Sequence, residues 1–111
     1  MRRYLLPETG SFYKANLHCH TNISDGKFTP EEVKETYKKA GYSIIAFTDH
    51  EVFIPHPELR DEDFLPLNAV EMDLTERIPV GSNSRDKSTC HLCMIAKDEK
   101  TEIQPCWHRT K

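Results

Sequence analysis

The sequence predicts an α/β fold built on a strand–helix–strand unit. Three observations carry that prediction. Residues 12–20 alternate in the manner of a strand, residues 29–41 form a helix marked at both ends, and residues 43–48 are a nearly continuous apolar run. Such a run is how a parallel strand covered on both faces reads.

Residues 1–11 read as a lead-in, closed by the turn-forming Thr9-Gly10-Ser11. The first strand follows in Phe12–His20. Residues 21–28 form a polar turn centred on Ser24-Asp25-Gly26. Thr29 then caps the helix, Pro30 suits its first position, and Glu32 completes a capping box. Val33, Tyr37 and Ala40 fall on one face at i, i+4 and i+7. Lys38 and Lys39 complement the negative end of the helix dipole, and Gly41 ends the helix. The second strand is Ser43–Thr48. Residues 51–64, rich in proline and acids, read as a loop. Residues 66–74 suit a third strand, 75–88 are polar and turn-prone, and 90–97 suit a fourth. The tail from Lys97 is polar apart from Ile103 and Cys106-Trp107.

Length and composition bound the function. A chain of 111 residues gives one domain with one modest core, spanning 1–111. A formal net charge of −3 excludes nucleic acid held by bulk charge and leaves open a specific phosphate site. No apolar run approaches the ~20 residues of a membrane span. Pro7 and Glu8 interrupt the start too early for a secretory signal, so the expectation is a cytoplasmic protein. Cys19, Cys90, Cys93 and Cys106 are then thiols or ligands rather than disulfides. Six histidines in so short a chain point toward metal chemistry.

The positions of the candidate ligands sharpen that reading. His18 and His20 are two apart on a strand, so both face one way while Cys19 faces the packed layer. They lie at the C-terminal end of the first strand, and Asp49 and His50 lie at that end of the second. Parallel α/β folds build their sites at those ends. Asp25 sits in the loop after the first strand, Glu71 within the third strand and His91 early in the fourth. Imidazole and carboxylate together suit Zn, Mn or Fe. Their number exceeds what one tetrahedral ion needs, which favours a multinuclear site of the kind that cleaves phosphate esters.

The motifs Asn16-Leu17-His18-Cys19-His20-Thr21, Ser24-Asp25-Gly26, Thr29-Pro30-Glu31-Glu32 and Phe47-Thr48-Asp49-His50 resemble the opening of the PHP (polymerase and histidinol phosphatase) superfamily. Glu71 and His91 resemble its third and fourth metal-binding positions. The likeness covers residues 12–98 and is strongest over 14–50. It implies a distorted (β/α)7 TIM-like barrel, of which this chain holds the first few strands. It implies two or three divalent transition metals (Zn, Mn or Fe), with His18, His20, Asp25, His50, Glu71 and His91 as ligands. Asp49 and His50 would serve catalysis beside a metal-bound hydroxide, with Asp49 orienting His50 or nearby groups. The implied activity is phosphoester hydrolysis, on a phosphorylated small molecule or a nucleotide. The chain ends at Lys111 and has no Asp-x-His pair after residue 50, where the family carries one late. The expectation is therefore a domain incomplete at its C-terminus, with an open sheet edge that invites homo-oligomerisation.

Two other readings compete. The chain could be a non-catalytic metal-binding or interaction module that lacks the late ligands. Alternatively, Cys90-x-x-Cys93 with Cys106-x-His108 has the ligand types of a small structural zinc site. That site needs a turn over 90–93, whereas the apolar Leu92–Ala96 reads as a buried strand with Cys93 as a small hydrophobe. His56 reads as a loop residue, Arg60, Arg77 and Arg85 as surface charges within reach of a substrate phosphate, and Trp107 as a packing anchor.

Overall fold

A computed structural model describes residues 6–74 and 89–105. It contains β1 (Ala15–Cys19), α1 (Pro30–Lys39), β2 (Ile44–Phe47), a 3-10 turn (Pro57–Leu59), β3 (Leu65–Asp73) and β4 (His91–Ile95). The four strands form one sheet in the order β1-β2-β3-β4. The first three are parallel, and β4 runs antiparallel to β3. This is an α/β fold on an open, mixed sheet, and the described strands do not close into a seven-stranded barrel. Among the described residues no helix is long and apolar enough to cross a membrane.

The strand–helix–strand unit is present as read. β1 is shorter than the stretch 12–20 because β2 offers partners only from Ile44 to Phe47. Upstream of the paired region, Phe12 is 93% exposed and Tyr13 67%. A bulge between Asn16 and Cys19 sets three β1 steps against two on β2. At α1 the capping box forms: the Thr29 hydroxyl accepts from the Glu32 amide at 3.2 Å, and the Glu32 carboxylate accepts from the Thr29 amide at 2.9 Å. The helix stops at Lys39, so Ala40 is an exposed cap rather than part of the apolar face. Gly41 follows at φ +83°, a left-handed conformation that glycine adopts without a Cβ clash.

One face of the sheet packs on α1. Cys19, Val33, Ile45, Phe47, Leu59 and Phe64 form the core there, with Tyr37 and Tyr42 against it. Burial of each large side chain of this kind stabilises the fold by about 1.5–3 kcal/mol. A second cluster joins Phe53, Val70 and Met72 to Met94 and Ala96. Since Ile45, Phe47, Val70 and Met72 are core residues, strand alternation turns Thr48, Glu71 and Asp73 to the opposite face.

The segment 51–64, expected as plain loop, contains the 3-10 turn and is tied down at two points. His56 is 7% exposed, with its ring edge-on to Phe47 at 5.0 Å. Asp61 pairs with Lys34 at 2.7 Å and Lys38 at 2.9 Å, clamping the segment to α1. The polar tail returns across β3, where the Asn68 amide donates to the carbonyls of Glu99 (3.1 Å) and Thr101 (3.2 Å). The turn-prone 75–88, with Arg77 and Arg85, and the tail residues Cys106, Trp107 and His108 lie outside the described residues.

Candidate metal centre

The site is assembled where the C-terminal ends of the parallel strands meet the start of β4. Glu71 is its hub, 3% exposed on the face of β3 away from the helix. Its backbone continues the β2–β3 pairing past the named strands: the Glu71 amide donates to the Asp49 carbonyl at 3.2 Å, and the Glu51 amide to the Glu71 carbonyl at 2.9 Å. This sets His50 beside Glu71 as a bridge pair. On the other side, the antiparallel register pairs Asp73 with His91 and Glu71 with Cys93. Antiparallel direction is what delivers His91: the first residue of β4 lands at the last of β3.

Four imidazoles surround the Glu71 carboxylate. Oε2 lies 2.7 Å from His20 Nε2, 3.0 Å from His18 Nε2 and 3.7 Å from His50 Nδ1. Oε1 lies 2.9 Å from His91 Nδ1. The Nε2 atoms of His18 and His20 are themselves 2.8 Å apart. Burial alone would push the Glu71 carboxyl up. The hydrogen bond with His18, with the charges of His18, His50 and His20, overcomes that and holds it below its ordinary value.

Asp25 closes the far side. Its Oδ1 lies 2.7 Å from His20 Nδ1, and its Oδ2 lies 3.4 Å from His50 Nε2. The hydrogen bond with His20 depresses the Asp25 carboxyl, helped by the charges of His20 and His50. The turn that presents Asp25 is tight: the Gly26 amide donates to the Thr21 carbonyl at 2.8 Å. A Cβ on Gly26 would stand 2.6 Å from the His20 carbonyl oxygen.

Asp49, 3% exposed, directs its carboxylate into this same turn. Its Oδ1 accepts from the Thr21 amide at 2.7 Å and the Ser24 hydroxyl at 2.6 Å, and its Oδ2 accepts from the Thr21 hydroxyl at 2.8 Å. The group it orients is thus the turn between His20 and Asp25. His50 is followed by Glu51 at φ +62°, a left-handed residue whose carboxylate accepts from the Asp73 amide at 2.5 Å.

The structure therefore brings His18, His20, Asp25, His50, Glu71 and His91 together, and holds Asp49 just behind them. Among the described residues, two sets of donor atoms lie within 4.8 Å of one another: His20, His50 and Glu71, and His18, Glu71 and Cys93. The donor set fits a cation. His18 Nε2, His20 Nε2 and Glu71 Oε2 converge pairwise, and a neutral imidazole can donate from only one nitrogen. A cation between them satisfies all three lone pairs. Imidazole with carboxylate is borderline in softness and fits Zn, Mn or Fe.

Cys93 is the residue that sequence reasoning placed in the core. It is half-buried, and its thiol is pushed up by burial and by the Glu71 charge, against a hydrogen bond with Thr48. The two-residue spacing His91-x-Cys93 puts both on one face of β4, but only the β3–β4 register shows that this is the face of Glu71. The turn over 90–93 that the zinc-ribbon reading requires is absent, since 91–95 is a strand.

A buried carboxylate ringed by histidines at the strand ends of an α/β sheet is a cluster that could hold a metal ion. Residues 16–102 match the model of the PHP domain, and the chain belongs to that family. It is similar to the DNA polymerase/3'-5' exonuclease PolX of Bacillus subtilis (strain 168), with 35% identity over 60 residues. That match covers 54% of this chain and 10% of the relative. The chain therefore spans only about a tenth of the length of that protein.

Proposed function

We propose that the chain supplies the early ligand set of a PHP-type, metal-dependent phosphoesterase of (β/α)7 barrel architecture, acting on a phosphorylated small molecule or a nucleotide. The observation that carries this reading is the Glu71 carboxylate, 3% exposed and within 3.7 Å of four histidines. A buried anion so surrounded is costly as packing and well placed as a shared ligand.

The roles follow from position. His18, His20, Asp25, His50, Glu71 and His91 would hold two or three divalent ions. Asp25 fixes the tautomer of His20 through Nδ1, leaving Nε2 as the ligating nitrogen. Asp49 fixes the turn on which Asp25 stands. Among the described residues His18 and His91 are half-exposed, which leaves an approach to the cluster for a phosphate ester. Bound ions would lower the pKa of water and offset the charge of the phosphoryl oxygens.

The test combines elemental analysis of protein purified without chelator with hydrolysis of a generic aryl phosphate in added Mn2+. We expect at least two ions per chain, and turnover lost in the His18→Ala/His20→Ala variant. Metal that is retained in that variant sinks the ligand assignment. Metal bound with no turnover in either protein replaces the enzyme by the non-catalytic module.

A further inference from the structure

We propose that Cys93 is a metal ligand that shares an ion with His18 and Glu71, giving the centre one sulfur position and a preference for Zn2+ over Mn2+ or Mg2+. The proposal rests on the reading of the His/Glu cluster as a metal centre and adds to it a donor of a different kind.

The placement is built by the sheet. Cys93 is the register partner of Glu71 in the antiparallel β3–β4 ladder. Residues opposite one another in such a ladder put their side chains on the same face, with Cβ atoms about 4.5–5.5 Å apart. Its Sγ, a nitrogen of His18 and a carboxylate oxygen of Glu71 all lie within 4.8 Å of one another. Ligands at the usual Zn–S length of about 2.3 Å and Zn–N length of about 2.0–2.1 Å, at a tetrahedral angle, stand about 3.6 Å apart. His18 reaches toward both donor groups, because its Nε2 is also 2.8 Å from His20 Nε2. Glu71 belongs to both as well, its Oε2 lying 3.0 Å from His18 Nε2 and 2.7 Å from His20 Nε2.

The other described thiols lack this placement. Cys19 is 8% exposed in the apolar core beneath the helix, and Cys90 is exposed just before β4. Chemistry then sets the preference. Thiolate is a soft donor, suited to Zn2+, whereas Mn2+ and Mg2+ favour oxygen. Coordination expels the thiol proton to solvent, so uptake at this position releases one proton per Cys93 bound.

Co2+ makes the test, because it reports occupancy and sulfur ligation separately. The full chain should show visible d–d absorption on Co2+ addition together with a near-ultraviolet sulfur-to-cobalt charge-transfer band. Cys93→Ser should keep the visible bands, lose the near-ultraviolet one, and shift competition between Zn2+ and Mn2+ toward Mn2+ by about tenfold or more. Visible bands without charge transfer in the unaltered chain overturn the proposal and leave the metal centre standing. A charge-transfer band that survives in Cys93→Ser assigns the sulfur to another cysteine and also overturns it. No cobalt absorption at all removes the centre itself. A measurement on the unaltered chain guards against a variant that fails to fold. Added Zn2+ should slow alkylation of Cys93 by iodoacetamide and leave Cys90 unaffected, and equal protection or none at both thiols counts against the proposal.

Discussion

Glu71 and Asp49 show how two buried carboxylates 22 positions apart in the chain take different work from their neighbours. Glu71 faces four imidazoles, while Asp49 faces a hydroxyl, an amide and a second hydroxyl and holds a turn. Glu71→Gln keeps the shape and removes the charge, so we expect ion affinity to fall by about tenfold or more, read by calorimetric titration with Zn2+. Asp49→Ala leaves the Thr21 amide and two hydroxyls without their acceptor. Hydrogen bonds to a charged group are worth about 1.5–3 kcal/mol each, and rehydration recovers part, so the loss should be on the order of 3 kcal/mol in urea denaturation. His18, His20 and His50 were legible at one edge because strand alternation and strand-end position fix where a side chain points, whereas Asp25, Glu71 and His91 joined them only through the family resemblance. Cys93 was not legible as a neighbour of Glu71, because its apolar flanks Leu92 and Met94 read as core, and only the β3–β4 register reveals which face it shares.

At the scale of elements, α1 and the turn before it could be read almost to the residue, since their signals are local. Thr29, Pro30, Glu32 and Gly41 act within a few positions of themselves. Thr29→Ala should cost about 1 kcal/mol of stability by removing the cap, seen as a lower denaturation midpoint with unchanged slope. Gly26→Ala, whose methyl would meet the His20 carbonyl, should cost about 1–3 kcal/mol and loosen the placement of His20. The bulge in β1, the 3-10 turn and the direction of β4 were not legible, because partners distant in sequence decide them. Asp61 is one such partner. Lys34 and Lys38 hold its carboxyl far below the ordinary range by hydrogen bonds, and Lys38 is raised in turn. A depressed carboxyl contributes stability above its unfolded pKa and loses it as pH falls through the lower folded value. Melting followed by circular dichroism should therefore show Asp61→Asn less stable than the parent at pH 7, with the gap closing in strong acid and in high salt.

For the whole molecule, the sequence could say that four strands leave edges open, and among the described residues β1 and β4 are the outer strands of the sheet. The family membership covers residues 16–102, while the α/β order alternates with a helix only once among the described residues. If the cluster binds ions only when folded, metal must stabilise the chain by mass action. An ion at about 100 times its dissociation constant adds about 2.7 kcal/mol. In a domain of this size that should raise the melting temperature by about 4–8 °C for each kcal/mol, and chelator should reverse it.

The antiparallel docking of β4 also sets an order in time. His18 and Glu71 are 53 positions apart, and His91 joins Glu71 across a further 20. Closing such separations is slow compared with winding a helix. If the cluster holds ions as proposed, their capture waits for the last strand, and uptake of Zn2+ during refolding should trail the recovery of helical signal. Such a cluster would act as a clock for the end of folding, started by local chemistry at Thr29 and stopped when β4 brings His91 to Glu71.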